Sequence, residues 1–228
     1  MLSILMPVYN ERERVEQAIA EVLATELPTD FELLIVDDGS TDGTREILRS
    51  GNWDGRVRRF EHEHNQGKGA AVRTALEHAQ GEFSAIFDAD LEYDAADLAL
   101  LLPPLAEGRA NACFGVRAFD GYTSHSYLFV LGNRGVTFVC NVLFNVYLRD
   151  IMTCQKMIRT ELFRSLPLQS PGFAIEPEIA ARLVQRRERI FEVPVHYRAR
   201  ASDEGKKLTA YDGLRVIATL LRCRFSTR

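Results

Sequence analysis

Phe83-Ser84-Ala85-Ile86-Phe87-Asp88-Ala89-Asp90-Leu91-Glu92 decides how this chain is read. Its first five residues form a short apolar run behind a glycine, a length that fits a buried strand better than a helix. Asp88 and Asp90 stand one residue apart where that strand ends. At the end of such a strand, two hard oxygen ligands project into the crevice above an α/β sheet. They suit a divalent cation that keeps several waters and bridges substrate phosphates. Alone, the pair reads more readily as a helix N-cap or a solvated turn, both of which favour Asp. Its company reverses that preference.

Working outward, the first 115 or so residues alternate short apolar runs with helical patterns. Leu2 to Val8 reads as a strand, and Asn10 as the cap of a helix whose positions Val15, Ala18, Ile19, Val22 and Leu23 follow i, i+3, i+4 spacing. Phe31 to Val36 is a second strand, followed by a helix from Thr41 or Asp42 through Leu48. Val57 to Phe60 is a weak third strand, and Lys68 to Ala79 a helix with Ala71, Val72, Ala75 and Leu76 inward. After the Phe83 strand come a helix around Asp97 to Leu105 and a strand at Asn111 to Val116. This alternation predicts a mostly parallel, doubly wound α/β sheet with ligands at the carboxyl ends of its strands. The remainder is less regular: a helical stretch from Ser126 to Leu148, a helix around Glu176 to Arg187, a strand at Ile190 to His196 and a last helix at Tyr211 to Arg222. The expectation is one domain over 1–228, with a binding half at 1–117 and a helical elaboration at 118–228.

The composition is that of a soluble globular protein, at 46% hydrophobic and 26% charged residues. A net charge of −4 argues against a dedicated nucleic-acid binder, which carries a basic excess. Cys113, Cys140, Cys154 and Cys223 lie far apart with no Cys-x-x-Cys, so they read as buried thiols rather than zinc ligands or a disulfide scaffold. Met1 to Pro7 lacks the basic leader of a signal peptide. The longest apolar stretch, Tyr127 to Leu148, is interrupted by Asn133, Arg134, Asn141 and Asn145, which argues against a transmembrane span. It reads either as core or as an interfacial helix on the inner membrane leaflet. A cytoplasmic chain, possibly peripheral on the membrane in the second case, is the expectation.

Three strand ends supply acidic or polar groups: Pro7-Val8-Tyr9-Asn10-Glu11, Asp37-Asp38-Gly39-Ser40-Thr41-Asp42-Gly43-Thr44, and Asp88-Ala89-Asp90-Leu91-Glu92. Between the last two lies Asn65-Gln66-Gly67-Lys68-Gly69-Ala70-Ala71, whose glycines would let backbone approach a ligand and whose lysine brings a cation to a helix start. Neither the Gly-x4-Gly-Lys-Ser/Thr loop nor a Gly-x-Gly-x-x-Gly fingerprint is present. None of the five histidines has ligand spacing, and Asp37 reads as turn chemistry.

Taken together, PVYNE, VDDGSTDGT, NQGKGAAV and FDAD resemble the family 2 glycosyltransferases with a GT-A fold, and the likeness spans essentially the whole chain. Asn133-Arg134, Asp150, Thr153 to Lys156, Gly172 to Glu178, and Glu192 through Gly205-Lys206-Lys207 are similar to the polyprenyl-phosphate (dolichyl-phosphate-type) branch. The resemblance implies that Pro7, Tyr9, Glu11 and Asp38 hold the base and ribose of a nucleotide, with Lys68 near base or phosphates. It implies that Asp88, Asp90 and Glu92 surround Mg²⁺ or Mn²⁺, Glu92 standing where several relatives carry Gln. It implies that Arg117 and Arg134 meet acceptor or donor phosphate, and that Arg200, Lys206 and Lys207 belong to a basic loop closing over the diphosphate. As bare sequence, that loop reads equally as a solvated charge run.

The implied activity is inverting transfer of a hexose or amino-hexose from a UDP- or GDP-sugar to a polyprenyl phosphate. A phosphate acceptor is largely anionic near pH 7 and needs orientation rather than a strong base. A hydroxyl acceptor needs a base, for which Asp150 is the nominee and Glu176 and Glu178 the alternates. Each of those three is equally well explained as helix-end or turn chemistry. The alternatives are transfer to a soluble hydroxyl acceptor and a non-catalytic nucleotide-sugar-binding module.

Overall fold

The computed structural model describes residues 1–117, 127–198 and 210–226. Seven strands form one sheet: β1 (Leu2–Val8), β2 (Phe31–Asp37), β3 (Val57–Glu61), β4 (Phe83–Ile86), β5 (Ala112–Arg117), β6 (Lys156–Arg159) and β7 (Ile190–Val195), in the order β3-β2-β1-β4-β6-β5-β7. The helices are α1 (Val15–Ala24), α2 (Thr44–Ser50), α3 (Lys68–His78), α4 (Leu98–Ala106), α5 (Tyr127–Phe144), α6 (Thr160–Ser165), α7 (Ile175–Gln185) and α8 (Ala210–Phe225).

β1, β2 and β4 are apolar along nearly their whole length and buried on both faces, as parallel strands covered by helices must be. Their register sets the site. Val8 stands beside Asp37 in the β1–β2 pair and Leu5 beside Ile86 in the β1–β4 pair. The ladder then continues through Asp38 N–H to Val8 O (2.8 Å) and Phe87 N–H to Leu5 O (3.0 Å). Tyr9, Asp38 and Asp88 therefore leave the sheet at one edge, where the order of strands reverses around β1. α3 packs on β1 and β2, α4 on β5, β6 and β7, and α8 on α5 and α7.

Two elements escape the sequence pattern. β6 runs antiparallel between β4 and β5, and α6 follows it directly. Lys156–Arg159 is too short for an alternation to show, and its charged ends hide it. Asn10 does not cap α1. It takes a left-handed backbone (φ 54°), and its side-chain oxygen accepts the Thr41 N–H at 2.9 Å, tying the loop after β1 to the loop after β2. α1 starts at Val15 without a side-chain cap. α2 starts later than expected, at Thr44, because Asp42 first accepts the Thr44 N–H and hydroxyl at 3.0 and 2.6 Å.

Candidate active site

A cavity of about 340 Å³ opens at the carboxyl ends of β1, β2, β4 and β5. That volume is within the range of small-molecule sites. Of the residues the sequence singles out, Pro7, Tyr9, Glu11, Asp38, Lys68, Asp88, Asp90, Glu92, Arg117 and Glu176 all line it. The two loops from β1 and β4 each carry a non-glycine residue in the left-handed region, Asn10 (φ 54°) and Leu91 (φ 61°). Such a conformation costs on the order of 1–2 kcal/mol for a side chain like leucine. At Leu91 it is held by two bonds: Glu92 N–H donates to Asp90 Oδ1 at 3.1 Å, and Arg198 N–H donates to the Glu92 carbonyl at 2.8 Å.

Asp38 is buried and organises the loop before α3. Its Oδ1 accepts His62 Nδ1 at 2.7 Å and Gln66 N–H at 2.9 Å, and its Oδ2 accepts Gly67 N–H at 2.7 Å. The other imidazole nitrogen of His62 meets Thr74 Oγ1 on α3 at 2.9 Å. Asp37, as expected, is structural: Arg45 donates to it at 2.7 Å. The glycines of the next loop also have a packing role that the sequence reading did not foresee. A Cβ on Gly67 would lie 2.5 Å from Pro171 O and one on Gly69 would lie 2.1 Å from Ser170 O. What approaches them is the chain's own backbone, the segment leading to Phe173 at the cavity wall, while Gly67 also lines the cavity.

Lys68 opens α3 and sits between two carboxylates, 2.7 Å from Asp88 Oδ2 and 2.8 Å from Glu176 Oε1. Burial alone would push its ammonium down, but the charges of Asp88 and Glu176 outweigh that and hold it above the usual lysine range. The contact to Glu176 Oε1 is an ion pair without hydrogen-bond geometry, so that oxygen has no donor. The other oxygen of Glu176 accepts Lys156 Nζ at 2.8 Å. Lys156 is wholly buried; it also donates to the carbonyls of Ile151 and Thr153, and burial lowers its pKa against the pull of Glu176. Glu176 thus stands between two lysines at the start of α7. Glu178 points elsewhere, accepting Gln169 and Ser170 N–H at 3.0 and 2.7 Å and Arg222 at 3.1 Å.

Arg117 ends β5 with 6% of its surface exposed. Its Nε and Nη2 donate to the two oxygens of Asp150 at 2.7 and 2.9 Å, and Nη2 also donates to Asn133 Oδ1 at 3.0 Å. Burial works against the guanidinium charge, and Tyr93 and Asp150 more than offset it. Asp150 is itself buried, lies behind Arg117 outside the cavity lining, and also accepts Met152 N–H at 3.1 Å. A free, cavity-facing carboxylate is what a general base requires, and Asp150 is not placed as one. Arg134, its neighbour Asn133 having taken the inward phase of α5, is exposed and away from the cavity lining. Arg200, Lys206 and Lys207 lie outside the described residues.

Sequence reasoning missed Asn133 as the partner of Arg117, Lys156 as the second cation on Glu176, and the aromatic wall of Tyr93, Phe129, Phe173 and Tyr197. Cys154 also lines the cavity as a neutral thiol, its pKa pushed up by burial.

Asp88 Oδ1 is buried with no hydrogen-bond partner, and Asp90 faces the same cavity. Among the described residues no three His, Cys, Asp or Glu side chains form a ready-made metal cluster. One or two carboxylates completed by waters and substrate phosphates is the usual Mg²⁺ arrangement, so the residues present fit a cation that arrives with a diphosphate.

Comparison with known proteins agrees with this architecture. The chain is 34% identical to glycosyltransferase AglJ of Haloferax volcanii, over 85% of its own length and 62% of that protein's. It is 27% identical to the dodecaprenyl-phosphate galacturonate synthase of Rhizobium johnstonii, over 100% and 67% of the two chains. The chain therefore spans about two thirds of these relatives. Its fold superposes on glucosyl-3-phosphoglycerate synthase from Mycobacterium tuberculosis, solved with Mn²⁺, UDP and glucosyl-3-phosphoglycerate, with a TM-score of 0.75 at 22% identity, covering 100% of this chain and 81% of that one. The architecture is the GT-A fold. The profile for Glycosyl transferase family 2 matches residues 3–166, and the chain belongs to that family.

Proposed function

We propose that this chain transfers a hexose or amino-hexose from a UDP- or GDP-sugar to the phosphate of a polyprenyl phosphate, with the inversion that the family resemblance implies. The observation that carries the reading is one cavity walled both by Asp88 and Asp90 from the end of β4 and by the buried guanidinium of Arg117 from the end of β5. The sugar-transfer class is further supported by the dodecaprenyl-phosphate relative and by neighbours that bind UDP with Mn²⁺ or Mg²⁺.

Breaking the bond between sugar and diphosphate develops negative charge on the departing nucleotide. A divalent cation held by Asp88 and Asp90, with Glu92 beside them, would stabilise that charge. Pro7, Tyr9, Glu11 and Asp38 hold the nucleoside, Asp38 through the loop it fixes. Lys68 contributes a permanent positive charge next to the phosphates, kept protonated by its two carboxylates. Arg117 orients the acceptor phosphate, which is already anionic and needs no strong base. Asp150 and Asn133 act behind it by fixing the fork of the guanidinium. In this division residues 1–117 take the donor and 118–228 the acceptor, within one domain, with Arg117 at the boundary reaching across to the acceptor phosphate.

α5 supports a lipid acceptor. Its inner side contributes Phe129 to the cavity wall, and its outer side exposes Tyr127, Leu131, Phe138 and Val142. α8 beside it exposes Leu214, Leu221 and Phe225. The only charged residue of α5 is Arg134, and Arg224 is exposed on α8. An apolar face edged by arginine matches the headgroup region of an anionic membrane, and no helix among the described residues is long and apolar enough to cross one. A soluble acceptor is the second reading, favoured by the phosphoglyceric acid bound in a structural neighbour.

The test is nucleotide release from UDP- and GDP-sugars with Mn²⁺ or Mg²⁺, with and without short-chain polyprenyl phosphate. Release that rises with the lipid phosphate, and is nearly abolished in Asp90→Ala, is expected. Release indifferent to the lipid shifts the acceptor to a soluble molecule, and no release despite nucleotide binding overturns the enzymatic reading.

A further inference from the structure

Glu92 was read from sequence as one of three carboxylates around a cation. Its surroundings give it another task. The Tyr197 hydroxyl donates to Glu92 Oε2 at 2.9 Å, across 105 positions of sequence. The Tyr197 ring lies beneath the Arg117 guanidinium, 5.1 Å from ring centre to Cζ. Tyr93 completes the contact, its ring 5.2 Å from that of Tyr197 and tilted by 54°. The backbones of Tyr93 and Tyr197 meet in an isolated antiparallel bridge, and Arg198 N–H donates to the Glu92 carbonyl at 2.8 Å. The segment after β7 is thereby joined to the acidic loop by main chain and side chain together.

We propose that Tyr197 is a positioning residue that couples the acidic loop, through Glu92, to Arg117 at the end of β5. This rests on the glycosyltransferase reading above. One phenol touches the loop that presents Asp88 and Asp90 and the cation that faces the acceptor. A part-buried hydrogen bond to a carboxylate holds that loop at one height, and the ring face holds the guanidinium against Asp150 and Asn133. The two halves of the site are then set as one unit.

The test is a mutant cycle read in turnover and in nucleotide affinity. Tyr197→Phe keeps the ring against Arg117 and Tyr93 and removes only the hydroxyl. Loss of a hydrogen bond to a charged partner predicts a fall in kcat of about tenfold, while the dissociation constant for UDP with Mn²⁺, measured by calorimetry, changes by less than about threefold. In a Glu92→Ala background the same substitution should cost less than about twofold, because its partner has gone. In a Glu92→Gln background, where a neutral amide oxygen still accepts the phenol, part of the cost, about threefold, should return. Equal costs of Tyr197→Phe in the Ala and unsubstituted backgrounds, in protein that melts normally and releases nucleotide, overturn the coupling and leave the enzymatic reading intact. A loss seen only as a lower melting temperature, with kcat per folded molecule unchanged, also overturns it. Absence of nucleotide release from the unsubstituted protein overturns the enzymatic reading, and the inference falls with it.

Discussion

Replacing Asp150 by Asn separates two roles that the sequence leaves open. The carboxylate accepts two charged N–H groups from Arg117, at 2.7 and 2.9 Å, and both residues are almost completely buried. Removing one charge of a buried pair leaves the other uncompensated, which costs about 3–5 kcal/mol. Asn keeps one acceptor oxygen and the shape of the side chain, so the low end, about 3 kcal/mol, is expected. For a chain of this size each kcal/mol moves the melting temperature by roughly 2–4 °C, giving a fall of about 6–12 °C. Circular dichroism melts and urea titrations at pH 7 measure it.

The functional half of the prediction follows from the same geometry. If Asp150 only fixes Arg117, kcat falls because the acceptor is held less firmly, and the acid limb of the pH–rate profile stays where it was. If Asp150 takes a proton from a hydroxyl acceptor, kcat falls by about 10²–10⁴ and the acid limb disappears. A melting temperature within about 2 °C of the parent would refute the buried pair itself. Loss of the acid limb would refute the positioning role.

Lys68→Met should weaken UDP binding at least tenfold while Mn²⁺ alone binds no more weakly than before, because the substitution removes a cation 2.7 Å from Asp88; calorimetry with each ligand separately decides it, and weaker Mn²⁺ binding would count against Asp88 as its ligand. Gly69→Ala places a Cβ 2.1 Å from Ser170 O and should cost about 1–3 kcal/mol in urea denaturation, as overpacking does; a neutral outcome would mean that the segment at Pro171 moves aside freely. Burial raises the thiols of Cys113 and Cys140 to about 12 each. The unfolded chain therefore loses those protons first, so their contribution is whole below about pH 9 and falls by about 1.4 kcal/mol per pH unit per thiol as the pH rises toward 12. Urea midpoints between pH 8 and 10.5 should drop less steeply in Cys113→Ala/Cys140→Ala, and an unchanged slope would contradict the burial of these thiols.

What the sequence makes legible here follows from how parallel strands are built. A strand of an α/β unit ends where its loop begins, so Tyr9, Asp38 and Asp88 can be assigned to one edge from apolar runs alone, before the order of strands is known. Residues that meet across the sheet carry no such local signal. Arg117 finds Asp150 across 33 positions and Tyr197 finds Glu92 across 105; both pairings depend on the unread antiparallel β6, which separates β4 from β5. Helix phase fails for a related reason. α5 is apolar almost all round, so its pattern does not say which side faces inward, and one step along a helix turns a side chain by about 100°. That step is the difference between Asn133, bonded to Arg117, and Arg134, left in solvent. The glycines at 67 and 69 show the same limit from another side: their spacing announces a close backbone approach, and only the fold identifies the approaching chain as residues 170–171. Local chemistry in this protein is written in short motifs, while its electrostatic partnerships are written in strand order, which is why the acidic loops could be read and the anchoring of Arg117 could not.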